Sequence, residues 1–386
     1  MESPTITALE SERRQYLFPR TSLASLSVLC ICAMVGLCSC ALSADRGAPP
    51  QQQNSSPSQS TQEKPAVKKA TVDPNKFALV VAGVGGEDAY TKKFTAQAIR
   101  LYETLTNQLG FSEKNVVLLT ETVSSAGPED GARESDSVSS KRATAEEVRK
   151  SFATIKSAAN AESLVLVVLI GHGSVDNQVA KFNLVGPDLS AKDYSQLLGS
   201  LPTKKAIFVD CSSSSGDFVK PLSAEHRIVI TATRSGNEQN ATVFADHFIA
   251  GLTDNAADAD KNGRVSILEA FNYATKLTAD WYKEKNRLAT EHALIDDNGD
   301  GTGHEEAGNG DGSLAKIVYL DSKTMEEAAG DAELERLMKD RQRLEEEIEK
   351  LKARKSEMKT EEYEAELERL LVDLAKVNQT IKGKRK

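Results

Sequence analysis

Residues Leu164 to Ser174 read LVLVVLIGHGS, and this stretch fixes more about the fold than any composition figure. The unbroken apolar run Leu164 to Ile170 is too short for a buried helix and suits a central parallel strand covered on both faces. Gly171 and Gly173 permit the turn that must follow. His172 therefore falls at the carboxyl end of a central strand, where open α/β sheets place their ligand sites. A second strand, Ala206 to Val209, ends in Asp210-Cys211-Ser212-Ser213-Ser214-Ser215-Gly216. If the two are neighbours, an imidazole meets thiol and hydroxyl groups at one sheet edge.

The flanking pattern supports that layout. Phe77 to Val81 is a short apolar run leading into the glycine turn at Gly83, Gly85 and Gly86. These glycines lack the Lys and Ser/Thr of a phosphate loop and the full dinucleotide spacing, so they read as turn formers. Lys93 to Leu109 has helical periodicity, Asn115 to Thr120 reads as a strand, and residues 121–143 as a long polar surface loop. Thr144 with Glu147 forms a capping box that opens a helix to about Ala158. After the His strand come an irregular segment to about Leu189, a helix from Ala191 to Leu198, the Cys/Ser strand, and a further strand from Arg227 to Ala232. Alternating strands and helices imply an α/β domain with a mostly parallel sheet and helices on both faces.

The N-terminus reads as an export signal. Arg13, Arg14 and Arg20 precede an apolar run from Leu23 to Cys40. Leu37-Cys38-Ser39-Cys40 resembles a lipobox that would make Cys40 the lipidated first residue; Leu42-Ser43-Ala44 would instead serve a soluble signal peptidase. Arg13-Arg14-Gln15-Tyr16-Leu17 is similar to a twin-arginine signal, with Glu12 replacing the usual hydroxyl residue. An uncleaved anchor is the remaining alternative, with a run barely long enough to span. Each version places the rest of the chain outside the cytoplasm, whether periplasmic, envelope-anchored through a lipid or secreted. Residues 1–44 are the signal and 45–75, rich in Pro, Gln, Ser and Lys, a disordered tether. Of five cysteines only Cys211 lies downstream, so the folded part has no internal disulfide. A net charge of −9 argues against nucleic-acid binding.

A hydrophobic strand ending in His-Gly, followed by one ending in an acidic residue near Cys and Gly, resembles the caspase and legumain-type cysteine peptidases over residues 76–250. The resemblance implies a three-layer caspase-like domain at 76–322 and endopeptidase chemistry on a protein or peptide substrate. It assigns His172 as acid/base, Gly173 as backbone oxyanion donor, Cys211 as nucleophile and Asp210 as a lining of the specificity pocket. The nucleophile departs from the family spacing. Counting from Asp210 places it at Ser212; counting back from Gly216 places it at Ser213. Successive side chains at a strand end alternate between faces, so the offset decides whether Cys211 faces His172. The class-distinct alternative is a catalytically inactive, calcium-stabilised interaction protein.

Within an extension at 254–312, Asp258 to Glu269 matches an EF-hand loop, which implies Ca2+. Asp258, Asp260 and Asn262 offer side-chain oxygens, Arg264 its carbonyl, Ser266 a water-mediated position and Glu269 a bidentate carboxylate, with Gly263 at the sharp turn. Ser266 and Glu269 also fit a plain helix-capping box. Asp296, Asn298 and Asp300 resemble the start of a second loop that lacks the closing glutamate. Flanking helices are expected to end near Thr253 and to run from Ser266 to about Arg287.

Residues 326–386 form a C-terminal coiled coil or helical hairpin. Leu337, Leu344, Leu351 and Met358 recur every seven residues, and Tyr363, Leu367, Leu370, Leu374, Val377 and Ile381 at spacings of four and three. A turn near Ser356 to Thr360 gives a hairpin; without it one long helix would self-associate.

Overall fold

A computed structural model describes residues 69–123, 138–308, 310–328, 331–355 and 358–384. The expected signal, residues 45–68 of the tether, most of the 121–143 loop and the centre of the C-terminal turn lie outside the described residues. Residues 69–75, expected to belong to the disordered tether, are instead bound to the domain, with Asp73 bridged to Phe111 and the Thr71 amide on Glu326. No helix among them is long and apolar enough to cross a membrane.

The strands are β1 Lys76–Ala82, β2 Val116–Thr120, β3 Lys141–Arg142, β4 Leu164–Ile170, β5 Gly173–Asp176, β6 Val179–Phe182, β7 Leu189–Ser190, β8 Lys205–Asp210, β9 Arg227–Thr231 and β10 Leu294–Asp296. Seven form one sheet in the order β10-β9-β8-β4-β1-β2-β3, with β4 at its centre. Every pairing is parallel except that of β10 on β9. All seven residues of β4 are buried, which is why its sequence is continuously apolar rather than alternating.

The helices are α1 Asp88–Glu103, α2 Ala145–Ala158, α3 Ala191–Gly199, α4 Val219–Leu222, α5 Phe244–Gly251, α6 Ile267–Glu284, α7 Lys323–Glu327, α8 Ala332–Ala353 and α9 Thr360–Lys384. One sheet face carries Val80, Val168, Ile170, Val209 and Cys211, covered by Phe94 and Leu101 of α1, Phe248 of α5 and Phe271 of α6. The other carries Val81, Val167, Leu169 and Phe208, covered by Phe152 of α2 and Tyr194 of α3. The result is three layers, helix on sheet on helix.

Local chemistry sets the boundaries. Thr144 caps α2 by accepting a hydrogen bond from the Glu147 amide at 3.2 Å. Ser190 and Asp193 form a reciprocal box at the start of α3. The helix expected over 93–109 begins five residues earlier, because its first turn is polar and shows no apolar stripe. It ends in a π-helical turn, Thr104–Gln108, followed by Gly110 at φ 71°. The segment expected to be irregular after His172 is instead a small antiparallel sheet, β5-β6-β7. The polar stretch 121–143 contributes the short edge strand β3.

Two long helices, α8 and α9, pack side by side through Leu344, Ile348, Leu351, Tyr363 and Leu370. Lys384 pairs with Asp331 and Glu333, so the end of α9 returns to the start of α8 and the pair is an antiparallel hairpin. Lys205 of β8 pairs with Glu346 at 2.8 Å and ties the hairpin to the sheet. The strap before it, Val318 to Lys323, is held by the buried Lys76 ammonium, which donates to the carbonyls of Leu320 and Asp321 and to Ser322 Oγ.

Candidate functional site

The register Ala82↔Ile170 and Leu169↔Asp210 brings three strand ends to one edge. Beyond them lie the Gly83–Gly86 turn, Gly171-His172-Gly173 and the serine-rich turn.

His172 is half-buried, with its ring edge-on to Tyr90 and Phe94 of α1 at 5.0 and 5.1 Å. Burial pushes its imidazole below the usual range, partly opposed by a hydrogen bond to the Gly85 backbone. Burial thus favours the neutral ring, which lies beside the Gly85 backbone. Gly85 is itself held. Its amide donates to Glu121 at 3.0 Å, and the same carboxylate accepts from Thr91 Oγ at 2.7 Å. Sequence reasoning missed Glu121, Tyr90 and Phe94; the position of Glu121, directly after β2 on the same sheet edge, was the available signal.

Cys211 has not left the sheet. Its amide donates to Leu169 O at 2.8 Å, continuing the ladder past Asp210. It follows Ile207 and Val209 onto the α1-facing side, the side on which His172 rests against Phe94, so the spacing offset does not turn it to the opposite face. What isolates it is depth. The residue is 2% exposed within the main core cluster. Burial pushes its thiol well above the ordinary range, and the Asp210, Glu291 and Asp246 carboxylates add to the shift. Thr242 Oγ holds its carbonyl at 2.5 Å.

The chain departs from the strand at Ser212, whose amide bonds Asp210 Oδ1 at 2.9 Å. Ser213 Oγ accepts from the Gly173 amide at 3.2 Å and lies 3.4 Å from the Gly173 carbonyl, to which it can donate. Gly173 is required here, since a Cβ would fall on Ser213 O and Ser212 Oγ. Ser214 adopts φ 58°, with its amide bonded to Glu238 O at 2.8 Å. Ser215 Oγ pairs with Thr233 Oγ at 3.1 Å, and Gly216 packs on the Arg234–Ser235 backbone. None of the four serines is more than 2% exposed.

Asp210 lies beneath this turn, fully buried. Only Oδ1 has a partner; Oδ2 has none, and neither does the buried Tyr194 hydroxyl. Burial raises the Asp210 carboxyl from 3.8 to about 7, opposed by hydrogen bonds from Ser212. Burial, with the Asp210 charge, likewise pushes the Tyr194 phenol well up. A further pair closes the site from the side. Glu238 holds His292 Nδ1 at 2.5 Å and the Arg234 amide at 2.9 Å, fixing the 234–238 loop against the serine turn. No motif marked this pair.

The structure thus gathers His172, Gly173, Ser212, Ser213 and Asp210 at one edge and keeps the Cys211 side chain inside the core. A neutral, oriented imidazole can accept a proton, and a free backbone amide can stabilise an oxyanion. Here the Gly173 amide is engaged by a hydroxyl of the chain itself.

The acidic loop before α6 brings Asp258, Asp260 and Glu269 together, with one oxygen from each within 4.8 Å of the others. Asp258 accepts from the Asn262 and Gly263 amides at 3.1 and 2.9 Å, and Asn262 Oδ1 from the Arg264 amide at 2.8 Å. Lys261 and Gly263 adopt φ 57° and 83°. Glu269 fills the capping-box role, one oxygen accepting from Ser266 at 2.8 Å, and its other oxygen accepts from the Ala259 and Asp260 amides of the loop at 3.0 and 3.3 Å. The Arg264 guanidinium lies over the Tyr319 ring and pairs with Asp321 at 2.9 Å, and Lys323 bonds the Gly263 carbonyl, so the strap presses on this loop.

The second acidic stretch is arranged differently. Asp296 spends its oxygens on the Gly299 and Gly301 amides, both at 3.1 Å, and Asn298 accepts from the Asp300 amide at 2.8 Å. Asp297, buried, accepts from the Gly312 and Ala315 amides, while Asp311 holds the Asp297 amide and His304. Among the described residues only the first loop collects three acidic groups around one point.

No family model matches this chain, and no curated protein matches it. A solved structure with similarity to it is protein GSU0716 from Geobacter sulfurreducens, at 12% identity and a TM-score of 0.37, covering 58% of this chain and 93% of that one. A score that low adds nothing to the assignment of the site.

Proposed function

We propose that this is an exported, caspase/legumain-like protein that acts by binding rather than by cysteine-peptidase chemistry, stabilised by Ca2+ and assembled through its C-terminal helices. The observation that carries the reading is the Cys211 side chain: 2% exposed, its thiol pushed well up, and its backbone still in the β8 ladder. A thiol in that state supplies no thiolate at neutral pH. Of the two serines that the family spacing allows as nucleophile, Ser212 and Ser213, Ser213 has its hydroxyl on the Gly173 amide. A serine would be the weaker nucleophile in any case, because a hydroxyl needs a stronger base than a thiol. The half-buried His172 remains as a group for recognising a protein or peptide ligand; Asp210, expected to line a specificity pocket, is fully buried beneath the serine turn and is no part of that surface.

The experiment is hydrolysis of fluorogenic peptide libraries by wild type, Cys211→Ala, Ser213→Ala and His172→Ala. No turnover is expected from wild type. Turnover abolished in Cys211→Ala returns the protein to the cysteine endopeptidases. Turnover indifferent to Cys211→Ala but lost in Ser213→Ala makes it a serine hydrolase.

Support for Ca2+ is the oxygen-only donor set of Asp258, Asp260, Asn262 and Glu269 at EF-hand spacing, with the left-handed residues Lys261 and Gly263 closing the turn. The Arg264 carbonyl and Ser266 complete the set. Isothermal titration with CaCl2 is expected to show one site that Glu269→Ala removes; unchanged binding in that variant refutes the assignment. Asp296, Asn298 and Asp300 are left as a backbone-organising turn.

A further inference from the structure

Helix α9 carries two apolar stripes, and only one is used inside the chain. Tyr363, Leu370 and Ile381 face α8 and are buried. Leu371 and Val372 point away from it, 48% and 46% exposed, at the midpoint of the helix. With Leu367 and Ala375 they line a shallow groove bordered by Glu364 and Glu368. Isolated exposed apolar residues need no explanation, but two adjacent ones beside Ala375 at the middle of an already packed helix do.

The charge distribution along α9 says what fits there. Glu361, Glu364 and Glu368 stand on this face in the first half of the helix and Lys382 in its last turn, with Lys376 at the border, while Arg369 and Asp373 lie on the other side, where Arg369 pairs with Glu366 and Asp373. The helix dipole accounts for acids in the first turn only, since its influence fades beyond that. Glu368 lies further in. A face acidic towards one end and basic towards the other complements its own reversed copy, whereas a parallel copy would set acid against acid.

We propose that this face binds the same face of a second copy of the chain, antiparallel, with the twofold axis between Leu371 and Val372. Glu361 then opposes Lys382 of the second copy, and Glu368 lies beside its Lys376. The Leu371, Val372 and Ala375 side chains of both copies form the buried centre. With α8 behind each α9, the assembly is a four-helix layer. The arrangement does not depend on the reading of the His172 edge.

Multi-angle light scattering of the purified protein tests it. Wild type is expected at twice the chain mass, and Leu371→Glu combined with Val372→Glu at half that value. Reversing the acidic half (Glu361→Lys, Glu364→Lys, Glu368→Lys) or the basic half (Lys376→Glu, Lys382→Glu) is expected to give monomer, and reversing both together to restore the dimer. Circular dichroism confirms that helix content is retained in each variant. A monomeric wild type, a dimer indifferent to the Leu371/Val372 change, or a combined reversal that stays monomeric overturns the proposal.

Discussion

Two neighbouring strands end at the same edge of the sheet, and their ends have opposite characters. β4 ends in Gly171-His172-Gly173, and there the chain turns out at once. The imidazole is half-exposed, braced by aromatic rings and a backbone hydrogen bond. β8 ends in Asp210, yet the ladder runs on through Cys211, and the four serines that follow fold back under the 234–238 loop. One strand end presents its chemistry to solvent and the other buries it. Residue type therefore does not decide reactivity here. The position at which the ladder stops does, because a thiol one residue inside the sheet is a core side chain.

The comparison is broken or sharpened first at Asp210. Its carboxyl is raised in the folded state, so the fold binds that proton more tightly than the unfolded chain does. Its contribution to stability is full below about pH 4 and is lost as pH rises towards 7. Three pKa units correspond to about 4 kcal/mol at roughly 1.4 kcal/mol each. Asp210→Asn is expected to abolish this dependence, measured as urea midpoints from pH 4 to 8. Equal slopes in wild type and variant would mean that Asp210 is hydrated and the β8 end more open than described.

The next largest effect is expected at Gly173, where the two strand ends touch. A methyl group placed there meets the Ser213 carbonyl and Ser212 Oγ. Overpacking against backbone costs about 3 kcal/mol. Thermal unfolding of Gly173→Ala checks it, and an unchanged midpoint would separate the two turns. Cys211→Ala is expected to cost about 1 kcal/mol, as a small buried group removed from a packed core. His172→Ala is expected to cost less, under about 0.5 kcal/mol, since its ring is half in solvent. Reversal of that order would make His172 the structural residue and Cys211 the exposed one.

Much of this was legible in the sequence for physical reasons. A continuous apolar run of strand length has few places to go in a soluble domain, and β4 spans the residues expected. Capping at Thr144 and Ser266 was readable because it is local. The apolar spacings of the C-terminal helices predicted their packed faces, including Leu344, Leu351, Tyr363 and Leu370. β5, β6 and β7 were not legible, being four, four and two residues long with mixed polarity. The site was half legible. His172 and Gly173 stand at the edge foreseen for them, but the depth of Cys211 depends on Thr242, Leu169 and the α1 and α5 side chains, all distant in sequence. Glu121 and the Glu238–His292 pair bind partners 36 and 54 residues away, beyond the reach of any local pattern.

The central claim, that Cys211 is a core residue and not a nucleophile, is tested most directly by alkylation of the native protein with iodoacetamide, mapped residue by residue by peptide mass spectrometry. The account predicts that Cys211 is unlabelled in the folded protein at pH 7 and is labelled on denaturation, with His172→Ala making no difference. Rapid labelling of Cys211 in the folded protein, lost in His172→Ala, would contradict it.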